Sequence, residues 1–386
     1  MVNSISKKII LLIAAFSFGS SQNFKINNLK EIVLPDNSSV KRVQLSPSGK
    51  WLALESMPGG GRFKGYIVNL DDPSNIIPIK KSFKSSRSLF VQQIKWSTRG
   101  EEIFYFNSKN QIGIKHFYSF DLGQFNKKMK YIDDDLGKKI FNKHDVFIQS
   151  FAVNNDYDKD WFIFAKKNEN EPIAISYYVD NNLEDQKVYS EDVTINHFNS
   201  SSEGGLAFVK LDEKTKLSKI VMLRYDDDYS STVEWKREKE VDEISPKFSI
   251  NDSRNYLAFL ANENPGSEIF NLWLLNSPLD EQLISQKKLA GPLKTSRDDI
   301  SFDDQNFAWH PKQNVIFYIK DSEDTSNPIH FYNVKTSSDK RLVTNTSRNK
   351  YLQIVGNKIV FTSMGKTSDT KRYARKAYVG DLVIYP

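Results

Sequence analysis

Residues 43–54 read VQLSPSGKWLAL, and this stretch decides the fold. It joins two short apolar runs through Ser-Pro-Ser-Gly, a composition that favours a tight turn between paired strands. The second run, residues 51–54, is apolar at successive positions and does not alternate with polar residues. A strand of this kind is covered on both faces. The stretch therefore predicts a hairpin whose second strand lies between two other layers.

The same unit recurs along the rest of the chain. Each copy has an anchor residue, a polar turn and a dense apolar strand, such as residues 103–106 (IFYF) or 161–164 (WFIF), and then a further strand. The anchors are separated by 51, 55, 47, 50, 61 and 44 residues, and they are Leu45, Trp96, Phe151, Phe198, Phe248, Trp309 and Gln353. Units of about 40–50 residues with several strands each predict a β-propeller.

We therefore expect an all-β fold, a single propeller over residues 22–386 built from four-stranded antiparallel blades. The anchors favour seven blades, with six or eight as rivals because the third and fourth units are degenerate. The last unit shows only three evident strands, and the apolar run 31–34 (EIVL) belongs to no unit. We expect this run to add the missing strand to the last blade, which would remove an open sheet edge.

The first 21 residues have the pattern of a secretory signal peptide. Lys7 and Lys8 precede an apolar stretch over residues 9–18, and small residues follow at 19–21. The stretch is too short for an ordinary transmembrane helix, although an uncleaved N-terminal anchor is the alternative. No later stretch is long and apolar enough to cross a membrane. The chain has no Cys, which excludes a lipid anchor on Cys, disulfides and thiolate metal sites. These features predict a periplasmic or secreted protein.

Three strings resemble a known propeller repeat. They are residues 45–54 (LSPSGKWLAL), 246–250 (PKFSI) and 256–260 (YLAFL). They are similar to the F-S-P-D-G-K-x-I-A-F repeat, a WD40-like repeat found in TolB-like propellers and in the N-terminal propellers of prolyl-oligopeptidase-type peptidases. The resemblance implies a propeller fold over about residues 40–386. It implies no activity, because the second domain that accompanies either family's propeller has no counterpart in the sequence.

The sequence contains no complete catalytic or metal-binding motif. A serine hydrolase of the α/β class needs G-x-S-x-G, which does not occur, and the glycines at 59–61 lack the ending of a phosphate loop. Its five His are not paired at metal-binding spacing, and its Asp clusters do not follow the calcium-loop pattern. A net charge of +6 is too mild for a dedicated nucleic-acid binder. We therefore predict no catalytic residue, no metal and no cofactor.

The innermost strand of each propeller blade lines a central channel, so its polar positions are the candidates for ligand binding. In the clearest units these positions alternate with apolar anchors. The candidates are Arg42, Gln44, Gln93, Lys95 and Lys247. The alternative is that they only hydrate a water-filled channel.

These observations favour an exported, monomeric and non-enzymatic propeller that binds a protein partner through its loops. Two alternatives remain. One is a channel-site hydrolase or a small-ligand or cation-binding propeller of the lactonase kind. The other is a surface receptor or adhesion propeller.

Overall fold

The structure is a computed structural model. It describes residues 23–35, 38–57, 63–79, 91–96, 102–106, 112–116, 147–156, 159–167, 173–179, 182–191, 194–200, 205–211, 214–215, 217–226, 229–233, 235, 237, 241–250, 256–265, 267–294, 306–364 and 374–385. The predicted signal peptide at residues 1–21 lies outside these ranges.

The described residues form 27 strands and no helix. The strands are β1 (Asn23–Ile32), β2 (Ser39–Leu45), β3 (Trp51–Met57), β4 (Lys64–Asn69), β5 (Ile76–Pro78), β6 (Gln92–Trp96), β7 (Glu102–Phe106), β8 (Ile112–His116), β9 (Phe147–Asp156), β10 (Lys159–Lys167), β11 (Ile173–Val179), β12 (Asn182–Glu191), β13 (Thr194–Ser200), β14 (Gly205–Leu211), β15 (Ser218–Asp226), β16 (Tyr229–Val233), β17 (Asp242–Phe248), β18 (Tyr256–Asn262), β19 (Ile269–Asn276), β20 (Ser285–Lys294), β21 (Phe307–Trp309), β22 (Val315–Ile319), β23 (Ile329–Asn333), β24 (Ser338–Arg341), β25 (Lys350–Val355), β26 (Lys358–Ser363) and β27 (Lys376–Tyr385).

Within these ranges the strands pair into seven antiparallel sheets. Six sheets have four strands, in the orders β2-β3-β4-β5, β12-β11-β10-β9, β13-β14-β15-β16, β17-β18-β19-β20, β21-β22-β23-β24 and β1-β27-β26-β25. The seventh sheet, β6-β7-β8, has three strands among the described residues. The prediction of an all-β chain built from four-stranded antiparallel sheets is confirmed.

The opening stretch forms the predicted hairpin between β2 and β3. The amide of Gly49 donates to the carbonyl of Ser46 at 2.9 Å, and the amide of Trp51 donates to the Ser46 hydroxyl at 3.0 Å. Gly49 has φ +67°, a conformation that glycine adopts without the steric penalty of a Cβ. The turn residues therefore set the register in which Leu52 lies opposite Leu45.

The second strands are covered on both faces, as their composition predicts. Strands β3, β14, β18, β22 and β26 are each buried at five or more successive positions. The apolar side chains of the described residues form clusters that lie between neighbouring sheets. One cluster, for example, joins Leu54 and Val68 of one sheet to Val360 and Val379 of another. Burial between sheets, at about 25 cal/mol per Å² of apolar surface, therefore holds them face to face.

The first strand of each repeat unit lies beside the first strands of the two neighbouring units. Contacts join β2 to β6, β6 to β9, β9 to β13, β13 to β17, and β21 to β25. Between β17 and β21, the indole of Trp309 donates to the carbonyl of Lys247 at 2.9 Å. Strand β25 in turn contacts β2. We call these seven strands the ring of first strands, because the succession of contacts returns to its start.

The last anchor is displaced by one residue from its predicted position. Gln353 is half-buried, whereas its neighbours Leu352 and Ile354 are buried. Strand alternation is the reason, because the polar side chain of Gln353 lies on the face opposite that of its two buried neighbours. The buried anchor of this unit is therefore an aliphatic residue, and Gln353 is the polar residue that alternates with it.

The N-terminal strand completes the last sheet, as predicted, although it begins earlier than the predicted run and contains only residues 31 and 32 of it. Strand β1 pairs with β27, with Glu31 opposite Tyr378 and Ile32 opposite Ala377. Phe24 is 5% exposed and packs against Phe317 of the preceding sheet, with ring centroids 5.0 Å apart. The two ends of the described chain thus share one sheet and one apolar cluster.

We expect Phe24→Ala to lower the free energy of unfolding by about 3–5 kcal/mol, because it leaves a cavity against buried aromatic rings. Ile384→Ala is the control, since Ile384 lies in the partner strand β27 but is 41% exposed. The control should change stability by about 0.5 kcal/mol or less. Guanidinium unfolding monitored by tryptophan fluorescence measures both. Equal losses in the two variants would show that β1 contributes nothing to the packing.

Candidate functional site

The predicted ligand-binding residues all lie on the ring of first strands. Arg42 and Gln44 are in β2, Gln93 and Lys95 in β6, and Lys247 in β17. The apolar residues that alternate with them, Val43, Leu45, Ile94, Trp96 and Phe248, are buried between sheets. Strand alternation therefore places the polar side chains on the opposite face. The side chain of Gln93 lies outside what the structure describes, and the other four are half-buried.

Lys95 and Lys247 interact electrostatically although their sheets are not neighbours. The sheets that contain β9 and β13 lie between theirs in the succession of contacts. The charge of Lys247 therefore acts on Lys95 although two sheets lie between theirs. Arg42, from the sheet adjacent to that of Lys95, acts on the same ammonium group. The charges of two predicted cations thus act on a third.

The pKa of Lys95 is strongly lowered, from 10.5 to about 7. Burial is the largest cause, because it disfavours the charged form, and the charges of Lys247 and then Arg42 act in the same direction. The carboxylate of Glu55 partly opposes them. At neutral pH, Lys95 is therefore divided between the ammonium and the free amine. A perturbed pKa in a concave, charged environment is a frequent property of functional sites.

Glu55 belongs to the same group of residues, although the sequence analysis did not select it. It lies in β3 and is 3% exposed. Its Oε1 accepts a hydrogen bond from the amide of Ile94 at 2.7 Å, and its Oε2 lies 3.5 Å from Nη1 of Arg42. A buried carboxylate requires such partners. The signal that could have found it is the single acidic residue inside the apolar run of residues 51–57. We call Arg42, Glu55, Lys95 and Lys247 the axial site.

Lys247 is held by the sheet that follows its own. Its Nζ donates to the carbonyl of Phe307 at 2.7 Å and lies 4.4 Å from the centroid of the Phe307 ring. The aromatic face supplies a cation–π attraction, and the carbonyl supplies a neutral acceptor. The ammonium group therefore has a defined position inside the ring.

Gln44 makes a contact that differs from those of the three cations. Its Oε1 accepts a hydrogen bond from Nε2 of Gln353 at 2.8 Å, while Oε1 of Gln353 accepts the amide of Leu45 at 2.8 Å. The two amides thus connect β2 to β25. The predicted residue Gln44 is part of the junction between the first and last units.

The described histidines do not form a metal centre. His310 is 5% exposed, and burial, followed by the charge of Lys312, lowers its pKa to about 4. His330 Nδ1 lies 3.1 Å from Oδ1 of Asp339 in an outer part of its sheet. No group of three or more His, Cys, Asp or Glu that could hold a metal ion occurs in the described ranges.

Within the same ranges, no helix is long and apolar enough to cross a membrane.

Solved structures with this arrangement of sheets include enzymes. An oligogalacturonate lyase from Vibrio parahaemolyticus superposes with a TM-score of 0.59 and 10% identity, covering 94% of this chain and 98% of the lyase. A puromycin-hydrolyzing peptidase from Mycobacterium tuberculosis gives a TM-score of 0.55 and 12% identity, covering 86% of this chain and 50% of the peptidase. No protein-family model and no curated protein sequence matches the chain. The likeness establishes a propeller-like fold.

The prediction of a non-enzymatic platform is wrong. It depended on the absence of a separate catalytic module from the sequence. The Vibrio lyase is an enzyme, and the superposition covers 98% of its chain, which leaves no room for an additional catalytic module. A propeller-like chain of this size therefore does not need a second domain to be catalytic. The reading as a channel-site enzyme or ligand-binding propeller agrees better with the comparison.

A second oligogalacturonate lyase structure, in complex with manganese, has a TM-score of 0.60 and 10% identity, covering 94% of this chain and 96% of that one. Protein manganese sites favour carboxylate, carbonyl and water oxygens. The described residues do not supply the carboxylates of such a site, because no three His, Cys, Asp or Glu among them are grouped to hold a metal ion. The axial site instead gathers three cationic side chains, which would repel a metal ion.

Replacement of Lys95 should change how stability depends on pH. The unfolded chain keeps the Lys95 proton up to pH 10.5, whereas the folded chain releases it near pH 7, so the wild-type free energy of unfolding should rise between these values. In Lys95→Met this contribution is absent, and below pH 7 the variant should be more stable than wild type. Urea unfolding at pH 6 and pH 9 measures the difference. Lys335→Met, at an exposed hairpin lysine, should follow wild type. If the free energy of unfolding rose with pH in Lys95→Met as it does in wild type, the lowered pKa of Lys95 would be contradicted.

Proposed function

We propose that this chain is an enzyme of the lyase or hydrolase class whose active site is the axial site, with Lys95 as the group that transfers a proton. The observation that carries the proposal is the environment of Lys95, a half-buried lysine whose pKa is lowered to about 7 by burial and by the charges of Lys247 and Arg42. A general base works best when its pKa lies near the working pH. Lys95 meets this condition without a metal or a cofactor.

The chemistry that fits these residues is a β-elimination. The free amine of Lys95 would remove a proton from the carbon next to a carbonyl group of the substrate. The electron pair of that C–H bond would become a C=C bond, and the leaving group would depart with its bonding electrons and take up a proton. Arg42 and Lys247 would stabilise the negative charge that develops on the carbonyl oxygen. Among the described axial residues no hydroxyl or thiol nucleophile stands beside a base, which favours elimination over hydrolysis.

The comparison with the lyase supports this choice, although the identity is only 10%. The lyase activity is that of the Vibrio protein, and it serves only to select a first substrate. The peptidase is a weaker guide, because this chain covers half of its length. We therefore prefer the hypothesis of a lyase to that of a hydrolase.

The architecture that we propose is a closed propeller of seven blades. It is supported by the seven sheets of the described residues and by the contacts that lead around the ring of first strands from β2 to β25 and back to β2. The kinship of its repeat with the TolB type is proposed from residues 45–54 and 246–260 alone. Export, a monomeric state and a protein partner stay predictions of the sequence.

The test is turnover of oligogalacturonate, followed through the absorbance of the unsaturated product, with a chromogenic ester as a hydrolase substrate. We expect a rate that rises with pH to a plateau above about pH 7, as Lys95 loses its proton. Lys95→Met should lower kcat/KM by about 10²–10⁴-fold, the usual contribution of a general base. Lys335→Met is the matched control and should keep the wild-type rate.

Two outcomes would overturn the proposal. One is a wild-type rate in Lys95→Met on either substrate. The other is the absence of turnover of both substrate classes by a folded wild-type chain across pH 6 to 9.

A further inference from the structure

A small cavity lies at the end of the sheets where β22 ends and where β23 and β25 begin. Its volume is about 80 Å³. Three sheets supply its walls, because one lining residue precedes β19, others flank β21 and β22, and others lead into β23 and β25. The cavity shares no residue with the axial site. Its charged residues are Glu268, Lys320, Asp321 and Lys350, and its amides include Asn327 and Asn349.

We infer that this cavity binds a small zwitterion, a free α-amino acid of the size of glycine or alanine. The ammonium group of the ligand would contact Glu268, Asp321 and Asn327, and its carboxylate would contact Lys320. The inference does not rest on the proposed function, because it assigns a second binding site to a different set of residues.

The first argument is that three charged groups at the cavity are available to a ligand. The carboxylates of Glu268 and Asp321 form no hydrogen bond or ion pair within the described ranges. The ammonium group of Lys320 acts electrostatically on Asp339 but forms no ion pair with a described residue. Lys320 and Asp321 are half-buried, and Glu268 is exposed. A ligand can therefore pair with these groups without breaking an ion pair, and partial burial strengthens the attraction.

The second argument is an unpaired acceptor on Asn327. Its Oδ1 is buried and has no hydrogen-bond partner within the part of the chain that the structure describes. An unpaired buried carbonyl costs free energy that a donor recovers. The terminal torsion of an Asn side chain is soft, so a small rotation turns Oδ1 towards the cavity. With the carboxylates of Glu268 and Asp321 it offers three acceptors, which matches the three N–H donors of an ammonium group.

The third argument is that the walls of the cavity are fixed before a ligand arrives. Asn349 is fully buried and its side-chain amide is used at both ends, since Nδ2 donates to the carbonyl of Asn327 at 2.9 Å and Oδ1 accepts the Thr346 hydroxyl at 2.8 Å. The backbone amide of Asp321 donates to the carbonyl of Pro292 in β20 at 2.8 Å. These bonds tie the β22–β23 loop to the sheets on both sides. Binding therefore needs little ordering of the protein, which favours affinity for a small ligand.

Volume and charge limit what the cavity accepts. A space of about 80 Å³ holds about five water molecules, or a molecule with about as many non-hydrogen atoms, which is the size of glycine. Two carboxylates and two ammonium groups line it, so their charges cancel. A ligand with a net charge would be repelled by one pair, whereas a zwitterion is attracted by both. A neutral polyol would gain less, because a hydrogen bond between two ions is stronger than one to a neutral group.

The experiment is isothermal titration calorimetry of the full chain with glycine and with alanine, at pH 7 and constant ionic strength. We expect saturable binding with a Kd of about 1 mM or less. Propionate, in which a methyl group replaces the ammonium group of glycine, should bind about tenfold more weakly or not at all. Glycinamide, which has no carboxylate, should be weakened to a similar extent, and glycerol should not bind.

Two substitutions test the two ends of the ligand separately. Asp321→Asn keeps the shape of the side chain and removes its charge, so it should weaken both glycine and glycinamide about tenfold. Lys320→Met should weaken glycine about tenfold and leave glycinamide unchanged. Glu323→Gln is the matched control, because Glu323 is exposed in the same loop and does not line the cavity. This control should bind glycine like wild type.

Wild-type NMR supplies a measurement that does not depend on any variant folding. Glycine should shift the side-chain amide resonances of Asn327, and propionate at the same concentration should not. The inference fails if neither amino acid shows saturable binding, if propionate or glycinamide binds as tightly as glycine, if Lys320→Met weakens both ligands equally, or if the Asn327 resonances do not respond. None of these measurements requires turnover, so their result is independent of the proposed function.

Discussion

The structure depends on hydrogen bonds that join a side chain on one first strand to the backbone of a neighbouring first strand. The indole of Trp96 donates to the carbonyl of Gln44, and the indole of Trp309 donates to the carbonyl of Lys247, both at 2.9 Å. The amide of Phe248 donates to Oδ1 of Asn199 at 2.8 Å, so the same relation recurs in a degenerate unit. These bonds fix neighbouring sheets to each other at their inner edges.

Much of the fold could be predicted because the features that determine it lie within short stretches of the sequence. Turn residues and apolar runs repeat with each unit, and strand alternation placed Arg42, Lys95 and Lys247 on the inner face without knowledge of any distant contact. The same reasoning identified the strand that completes the last sheet, because one sheet was short and one run of residues was left over. The spacing of the units and the alternation of polar and apolar residues are sufficient to predict the fold when each unit packs only against its neighbours.

Other features could not be predicted, because they arise only when the sheets come together. Glu55 lies on a second strand, and its partners come from β2 and β6, so no local pattern marks it. The charge of Lys247 acts on Lys95 from a sheet that is distant along the chain. The last unit has a buried aliphatic residue on each side of Gln353, and its sequence does not show which of these positions is the anchor. The sequence supported a channel-site enzyme only as an alternative, because the residues proposed for its site come from separate units and not from a contiguous motif.

The pairing of β1 with β27 has a consequence for how the described sheets fold. The two strands are neighbours in one sheet although six other sheets are formed by the chain between them. Until β27 is in place, Phe24 and its neighbours have no finished surface on which to pack. Completion of this sheet therefore depends on a contact of very long sequence separation, and such contacts form slowly because the intervening chain must first be ordered.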